Sequence, residues 1–299
     1  MRIIPLASES LGVRSLATFV EASGIKVLID PGVALGPKRY GLPPAKVEIE
    51  TLHRMRRKLQ GYARRTDVVT ISHYHYDHHT PFFEGLYESS SEAFAREIYS
   101  GKLLLIKHPR ENINFSQRKR AWAFMKNVEP IAERIEFADG RSFDLGGVTL
   151  EFSPAVPHGS EGSKLGFVVM VMIDDGFRLI HASDIQLLNR RAVEWIVEKN
   201  PDLLITGGPP TYLGKRAEGS WGTGVKNLNE IIRETNAQIV LDHHIVRDKN
   251  YPRFFDELEK RPKTFAGFLK VGDRPFEAYR RELHRIERGE KAEVPFRLE

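Results

Sequence analysis

The stretch that most constrains this chain is seven residues long: His73-Tyr74-His75-Tyr76-Asp77-His78-His79. It holds four of the 11 histidines, and the apolar run Asp67–Ser72 (DVVTIS) leads directly into it. Such a run reads as a buried strand. His73 and His75, two apart at its end, can therefore project to the same side. Asp77 and His78 follow in the turn beyond, so one short segment can offer ligands to two neighbouring cations. A single histidine is more often a surface residue or a satisfied core residue. This spacing at a strand end points instead to a metal site.

Cysteine is absent, which removes disulfides and thiolate ligands together. Any metal must then be held by imidazole and carboxylate, a donor set suited to zinc first, with iron or manganese as alternatives. The 299 residues are 41% hydrophobic and 28% charged, enough to bury a substantial core. No linker, repeat or low-complexity tract interrupts them, and one domain over residues 1–299 is expected. No apolar run approaches the ~18–20 residues needed to span a bilayer, and no leader-like start is visible. The expectation is a cytoplasmic protein without membrane association. A formal charge of +5 weakly favours anionic partners.

Along the chain, strands are expected at Arg2–Leu6, Leu16–Glu21 and Ile25–Ile29, the last ended by Asp30-Pro31-Gly32. Pro44–Leu59 reads as a helix. Thr80-Pro81 reads as a helix cap followed by proline at the first helical position. Lys102–Lys107 is a further strand. Ser116–Phe137 has helical spacing, broken or kinked at Pro130. Gly166–Ile173 and Phe177–His181 form a hairpin around Asp174-Asp175-Gly176. Alternation follows: helix Arg190–Lys199, strand Leu203–Thr206, helix Gly224–Thr235, strand Gln238–Asp242. Phe276, Tyr279, Leu283 and Ile286 then share one helical face. This order implies an α/β protein, with sheets covered by helices.

H-x-H-x-D-H after a strand resembles the signature of the metallo-β-lactamase superfamily, and the downstream chain extends the likeness. His158 in Val156-Pro157-His158 resembles the family's middle histidine. Asp184, just past the hairpin, resembles its metal-bridging aspartate. His243 and His244 end the strand Gln238–Asp242, where the last ligand belongs. Asp30 resembles the supporting aspartate after an early strand. The resemblance covers Lys26 to His244 and includes an archaeal-type branch that supplies no substrate. It implies an αββα sandwich: two mixed β-sheets packed face to face, with helices on the outer faces.

By that resemblance, His73, His75 and His158 hold one divalent metal ion. Asp77, His78 and either His243 or His244 hold a second, and Asp184 bridges the two. Asp77 and Asp184 are the candidates for a direct part in catalysis. Asp30, His181 and His79 are expected to support the ligands, although His181 reads equally as a packed strand-end residue. A metal-bound hydroxide would attack a small anionic or ester substrate: a phosphodiester, a lactone or a thioester. Two other readings stay open. One is a non-haem iron redox enzyme on the same fold. The other is a metal-stabilised nucleic-acid-binding protein without catalysis.

The substrate is less constrained. Arg54, Arg56, Arg57, Lys58, Arg64 and Arg65 form one basic stretch; Arg110 and Arg118-Lys119-Arg120 form another. Each reads as a solvated helix face or as a positive rim for phosphate or nucleic acid. Arg14 is a candidate contact for a substrate anion. Gly207-Gly208-Pro209-Pro210 reads as a turn or a backbone pocket. Tyr74 and Tyr76 line the pocket or pack beneath the metals. Oligomeric state has no signal in the sequence.

Overall fold

A computed structural model describes residues 1–88 and 90–298. Two six-stranded sheets carry the fold. The first, in spatial order, is β1 (Arg2–Pro5), β2 (Thr18–Ala22), β3 (Ile25–Ile29), β4 (Val68–Ile71), β5 (Leu103–Ile106) and β6 (Arg134–Phe137). Its first three strands pair antiparallel and its last three join in parallel. The second sheet contains β7 (Ser142–Asp144), β8 (Thr149–Phe152), β11 (Val171–Asp174), β12 (Arg178–His181), β13 (Leu203–Gly207) and β14 (Gln238–Asp242). It is also mixed: antiparallel through β12, then parallel to β14. The short strands β9 (Val156–Pro157) and β10 (Phe167–Val168) pair separately.

The alternation of side chains along each strand sorts the apolar residues into three layers. Val27, Ile29 and Leu105 of the first sheet meet Val171, Ile173, Leu179, Ile205 and Val240 of the second, forming the layer between the sheets. Leu28, Val69, Ile71 and Leu104 face the other way, against α1 (Lys46–Ala63), α2 (Glu92–Tyr99) and α3 (Phe115–Val128). Met172, Ile180, Leu204 and Leu241 pack outward against α4 (Arg190–Lys199), α5 (Ser220–Glu234) and α6 (Tyr251–Asp256). The architecture is the expected αββα sandwich. The central strands are buried on both faces, which is why they read as near-continuous apolar runs, whereas the edge strands β6 and β7 are partly exposed.

Two local expectations fail. No helix starts at Thr80-Pro81. The Thr80 hydroxyl donates to the Pro31 carbonyl at 2.5 Å instead of capping, and α2 begins later, where the Ser91 hydroxyl accepts from Phe94 N. The Ser116–Phe137 helix also ends early, at Val128. Residues after Pro130 form the edge strand β6, with Ile135 registered on Leu104. Ala132 N–H still closes a helical bond to the Val128 carbonyl at 2.9 Å, but at Ile135 pairing with β5 satisfies the backbone and overrides local periodicity. A short helix, α7 (Phe265–Phe268), precedes the final turn of 3-10 helix at Phe276–Tyr279 and α8 (Arg280–Glu287). No helix among the described residues is long and apolar enough to cross a membrane.

Candidate metal centre

The ends of β3, β4, β12 and β14 converge at one rim of the sandwich, and each chain reversal there delivers polar side chains. Asp30, Ser183 and His243, at or just past three of those ends, all have positive φ (47°, 49° and 60°). Non-glycine residues adopt this conformation at a cost of ~1–3 kcal/mol each and hold it only where the surroundings impose it.

Eight of the candidate ligands meet at this rim. Nitrogen or oxygen atoms of His73, His75, His158 and Asp184 lie within 4.8 Å of one another, as do those of Asp77, His78 and His243, and those of Asp184, His243 and His244. Asp184 stands between the groups. Its Oδ2 is 3.1 Å from His158 Nε2, 3.2 Å from His78 Nε2 and 3.6 Å from His73 Nε2, while Oδ1 is 3.2 Å from His243 Nε2. His158, Asp184, His243 and His244 are all buried.

The surrounding hydrogen bonds fix the tautomers. His78 Nδ1 donates to Asp30 Oδ2 at 2.9 Å, and His243 Nδ1 donates to Glu9 Oε2 at 2.8 Å. His73 Nδ1 donates to Ser72 Oγ at 2.9 Å, and that hydroxyl donates onward to Asp30 at 2.6 Å. Each ring therefore turns its Nε2 inward. His78 Nε2 and His243 Nε2 face each other at 3.3 Å, and His73 Nε2 faces His75 Nδ1 at 3.0 Å. Ring nitrogens set nose to nose in a buried space need a proton or a metal cation between them. Asp184 Oδ1 is likewise buried with no hydrogen-bond partner among the described residues. The donor set fits divalent metal ions bound through nitrogen and oxygen.

Burial alone would lower the pKa values of His78 and His243, yet Asp184 with Asp30 draws His78 well up and Asp184 with Glu9 draws His243 up to about 9. Without a metal these rings therefore carry protons that a bound ion would displace. Burial alone would raise the Asp184 pKa, yet His243, His78 and His244 outweigh it and hold the carboxylate well below its usual range. Asp77 is likewise held low against burial, by His78, His243 and Arg247. Burial, reinforced by His158, pushes His75 down to about 3, and burial pushes His244 well down, leaving both neutral and able to bind metal.

The two histidines of the doubled pair differ in their partners. His243 sits with Asp77 and His78, held from behind by Glu9; His244 points its Nε2 towards Asp184 Oδ2 at 3.7 Å from the open side. Asp30 supports His78 directly. The other two supporting candidates do not touch a ligand ring by a side-chain hydrogen bond. His79 donates to the His75 backbone carbonyl at 2.9 Å, its ring packed edge-on against Tyr74 and Phe124. His181 alternates with Ile180 and so faces the layer between the sheets, donating to the Leu16 carbonyl at 2.9 Å.

A cleft of 410 Å³ opens onto His75, Asp77, His158, Asp184 and His244, with Arg14, Arg120 and Arg247 on its walls. Arg120 stacks over the Tyr76 ring at 4.6 Å and has no carboxylate partner among the described residues. Arg14 is clamped by Glu277 through two bonds of 2.6 Å. Tyr74 is buried away from the cleft, its hydroxyl on the Lys107 carbonyl. Gly207 and Gly208 leave room rather than forming a pocket: side chains there would crowd Asp184 and Ile245.

The model of the beta-lactamase superfamily domain matches residues 26–245. The chain belongs to that superfamily. It is 87% identical over 299 residues to a UPF0282 protein of Thermococcus gammatolerans, covering 100% of both chains. A UPF0282 protein of Methanocaldococcus jannaschii is 46% identical, covering 95% of this chain and 96% of that one. Among solved structures, a metal-dependent hydrolase of the beta-lactamase superfamily aligns with a TM-score of 0.51 at 16% identity, over 88% of this chain and 95% of that chain. That likeness is one of fold.

Sequence reasoning missed Glu9, Arg247 and Gly32. Glu9, in a 3-10 turn (Glu9–Leu11), bridges His243 to the buried Arg247, whose Nε and Nη2 both lie 2.6 Å from Glu9 Oε1. Arg247 Nη2 also lies 3.4 Å from Asp77 Oδ2. Nothing local marks Glu9, because its partners lie more than 230 residues away. Gly32 is packed backbone to backbone against the turn at Asp77-His78-His79.

Proposed function

We propose that this chain is a binuclear metallo-hydrolase, with His73, His75 and His158 holding one divalent ion, Asp77, His78 and His243 the other, and Asp184 shared between them. The observation that supports this reading most is the inward convergence of imidazole nitrogens around Asp184 in rings whose outer nitrogens are tied to Asp30, Glu9 and Ser72. Zinc, iron or manganese bound there would supply a hydroxide nucleophile near neutral pH and Lewis acidity for the substrate oxygen. The protein's own part is geometric and electrostatic. Asp30 and Glu9 keep the rings of His78 and His243 in the tautomer that presents Nε2. Arg247, anchored by Glu9, sets a fixed positive charge beside Asp77. His244 faces the cleft from the Asp184 side, within reach of a substrate or leaving-group oxygen.

Arg120 on the cleft wall, without a carboxylate partner among the described residues, favours an anionic substrate, and hence a phosphodiester over a lactone or a thioester. The test is turnover of bis(p-nitrophenyl) phosphate, an acyl lactone and an acyl thioester by chain reconstituted with zinc or manganese. The phosphodiester is expected to turn over, with Asp184→Asn losing activity while its circular dichroism is unchanged. A fully metal-loaded chain that hydrolyses none of the three would overturn the reading.

A further inference from the structure

The helix α3 has the sequence FSQRKRAWAFMKNV, with four cations and no carboxylate. Its buried side is accounted for by Ala121, Phe124 and Val128 in the core, and by Gln117, whose Oε1 accepts from the Tyr74 backbone N–H at 3.4 Å. The outer side is not. Phe115 and Trp122 are 85% and 66% exposed, far more than large aromatic side chains usually tolerate. At about 100° per residue, Phe115, Arg118, Lys119, Trp122 and Lys126 fall within one arc of about 100°, so rings and cations alternate along a single stripe. Arg118, Lys119 and Lys126 are exposed, and none has a carboxylate partner among the described residues. Lys126 Nζ instead lies 5.7 Å from the Trp122 ring centre.

Beside the stripe runs a groove of 670 Å³ between Trp122 and Phe137, floored by Met125. The His108 ring packs on Phe137 with centroids 4.6 Å apart, and Arg110 and Arg118 line the groove together with Glu111 and Glu129. An exposed ring face next to an unpaired cation matches a ligand that offers a flat aromatic face and an anion at each repeat. We infer that the outer face of α3 docks single-stranded nucleic acid, its bases stacking on Trp122 and Phe115 and its phosphates meeting Arg118, Lys119 and Lys126. A duplex hides its base faces and would leave both rings unused. The 14 residues of α3 span about 21 Å, long enough for a run on the order of four nucleotides. The same helix carries Arg120 on its other flank, where it reaches back to the Tyr74 carbonyl at 3.4 Å and stacks on Tyr76, so the stripe and the cleft lie on different sides of α3.

This inference does not rest on the hydrolytic reading, because binding is measured without turnover. The experiment is fluorescence anisotropy of a labelled, nuclease-resistant 12-nucleotide 2′-O-methyl oligo(U), with the purified chain at 50 and 200 mM KCl. Binding that weakens with salt is expected. Trp122→Ala should weaken it by about tenfold through lost stacking. Arg118→Glu/Lys119→Glu should reduce the slope of log affinity against log salt by about 1.4, the share of two phosphates. Both variants lie on the solvent face, and unchanged thermal unfolding should show that they leave the fold intact. No binding at 50 mM KCl would overturn the inference. So would Trp122→Ala binding as tightly as the parent, which leaves charge alone. Equal binding to poly-glutamate, or to phosphatidylserine vesicles with the same loss in Trp122→Ala, would assign the face to an acidic protein or to a membrane and overturn it as well.

Discussion

Gly32 tests whether the metal turn is held from outside by backbone packing. A Cβ added there would lie 2.5 Å from the carbonyl carbon of Asp77 and from the backbone nitrogens of His78 and His79. Ordinary contact begins near 3.4 Å, so the turn must retreat by about 0.9 Å. Gly32 cannot yield in its place. Its carbonyl accepts from the Ser15 hydroxyl at 2.5 Å, and the preceding carbonyl accepts from Thr80. Overpacking of this kind costs about 1–3 kcal/mol. Metal–ligand distances tolerate only ~0.2 Å, so the larger effect falls on binding. We expect Gly32→Ala to lower affinity for an ion at the proposed Asp77, His78 and His243 site by at least about tenfold, the scale of a lost supporting contact. Metal content after dialysis against graded chelator, read by mass spectrometry, measures this directly, and denaturant unfolding measures the stability. Gly61→Ala is the control: Gly61 is exposed on α1 with nothing within 4 Å of the added carbon, and alanine should gain up to about 1 kcal/mol there. Full metal content and parental stability in Gly32→Ala would refute the packing argument.

Two further outcomes follow from the buried charges. Glu9→Gln should cost about 3 kcal/mol by leaving the buried Arg247 with only the longer 3.4 Å pairing to Asp77, and should weaken metal retention about tenfold or more. Adding Arg247→Met should restore most of the stability but not the metal, as unfolding and metal analysis of the double variant would show. Arg14 and the more distant Arg247 hold Glu277 down to about 2 against the effect of burial. A carboxylate whose folded pKa is depressed adds stability that is complete above the unfolded value and disappears as pH falls through the folded one. The gap between parent and Glu277→Gln, about 3 kcal/mol at most near neutrality, should therefore narrow between pH 4.5 and 2. Unfolding midpoints across that window check the sign, and a gap that widens in acid would reverse it.

The sequence by itself determined what is periodic or adjacent. The bounds of β3, α4 and β14 match the pattern residue for residue, because the buried stretches Val27–Ile29 and Ile239–Leu241 are continuous apolar runs and because Asn189 caps α4. His73, His75, Asp77 and His78 were legible as a group because a strand end and one turn bring them together. His158 and Asp184 became legible only through the order of segments that resembles the superfamily.

Tertiary structure decided everything that depends on which distant surfaces meet. The fate of residues 131–137 was set by the open edge of β5, which offers hydrogen bonds that no local spacing can reveal. His243 was separated from His244 by Glu9, more than 230 residues away in the chain. His181 was turned into the layer between the sheets by the two-residue period of β12. Short-range patterns follow from the covalent chain and its solvent preference. The tautomer of a ligand ring depends on a single hydrogen bond across the fold, and only the packed sandwich brings the two groups together.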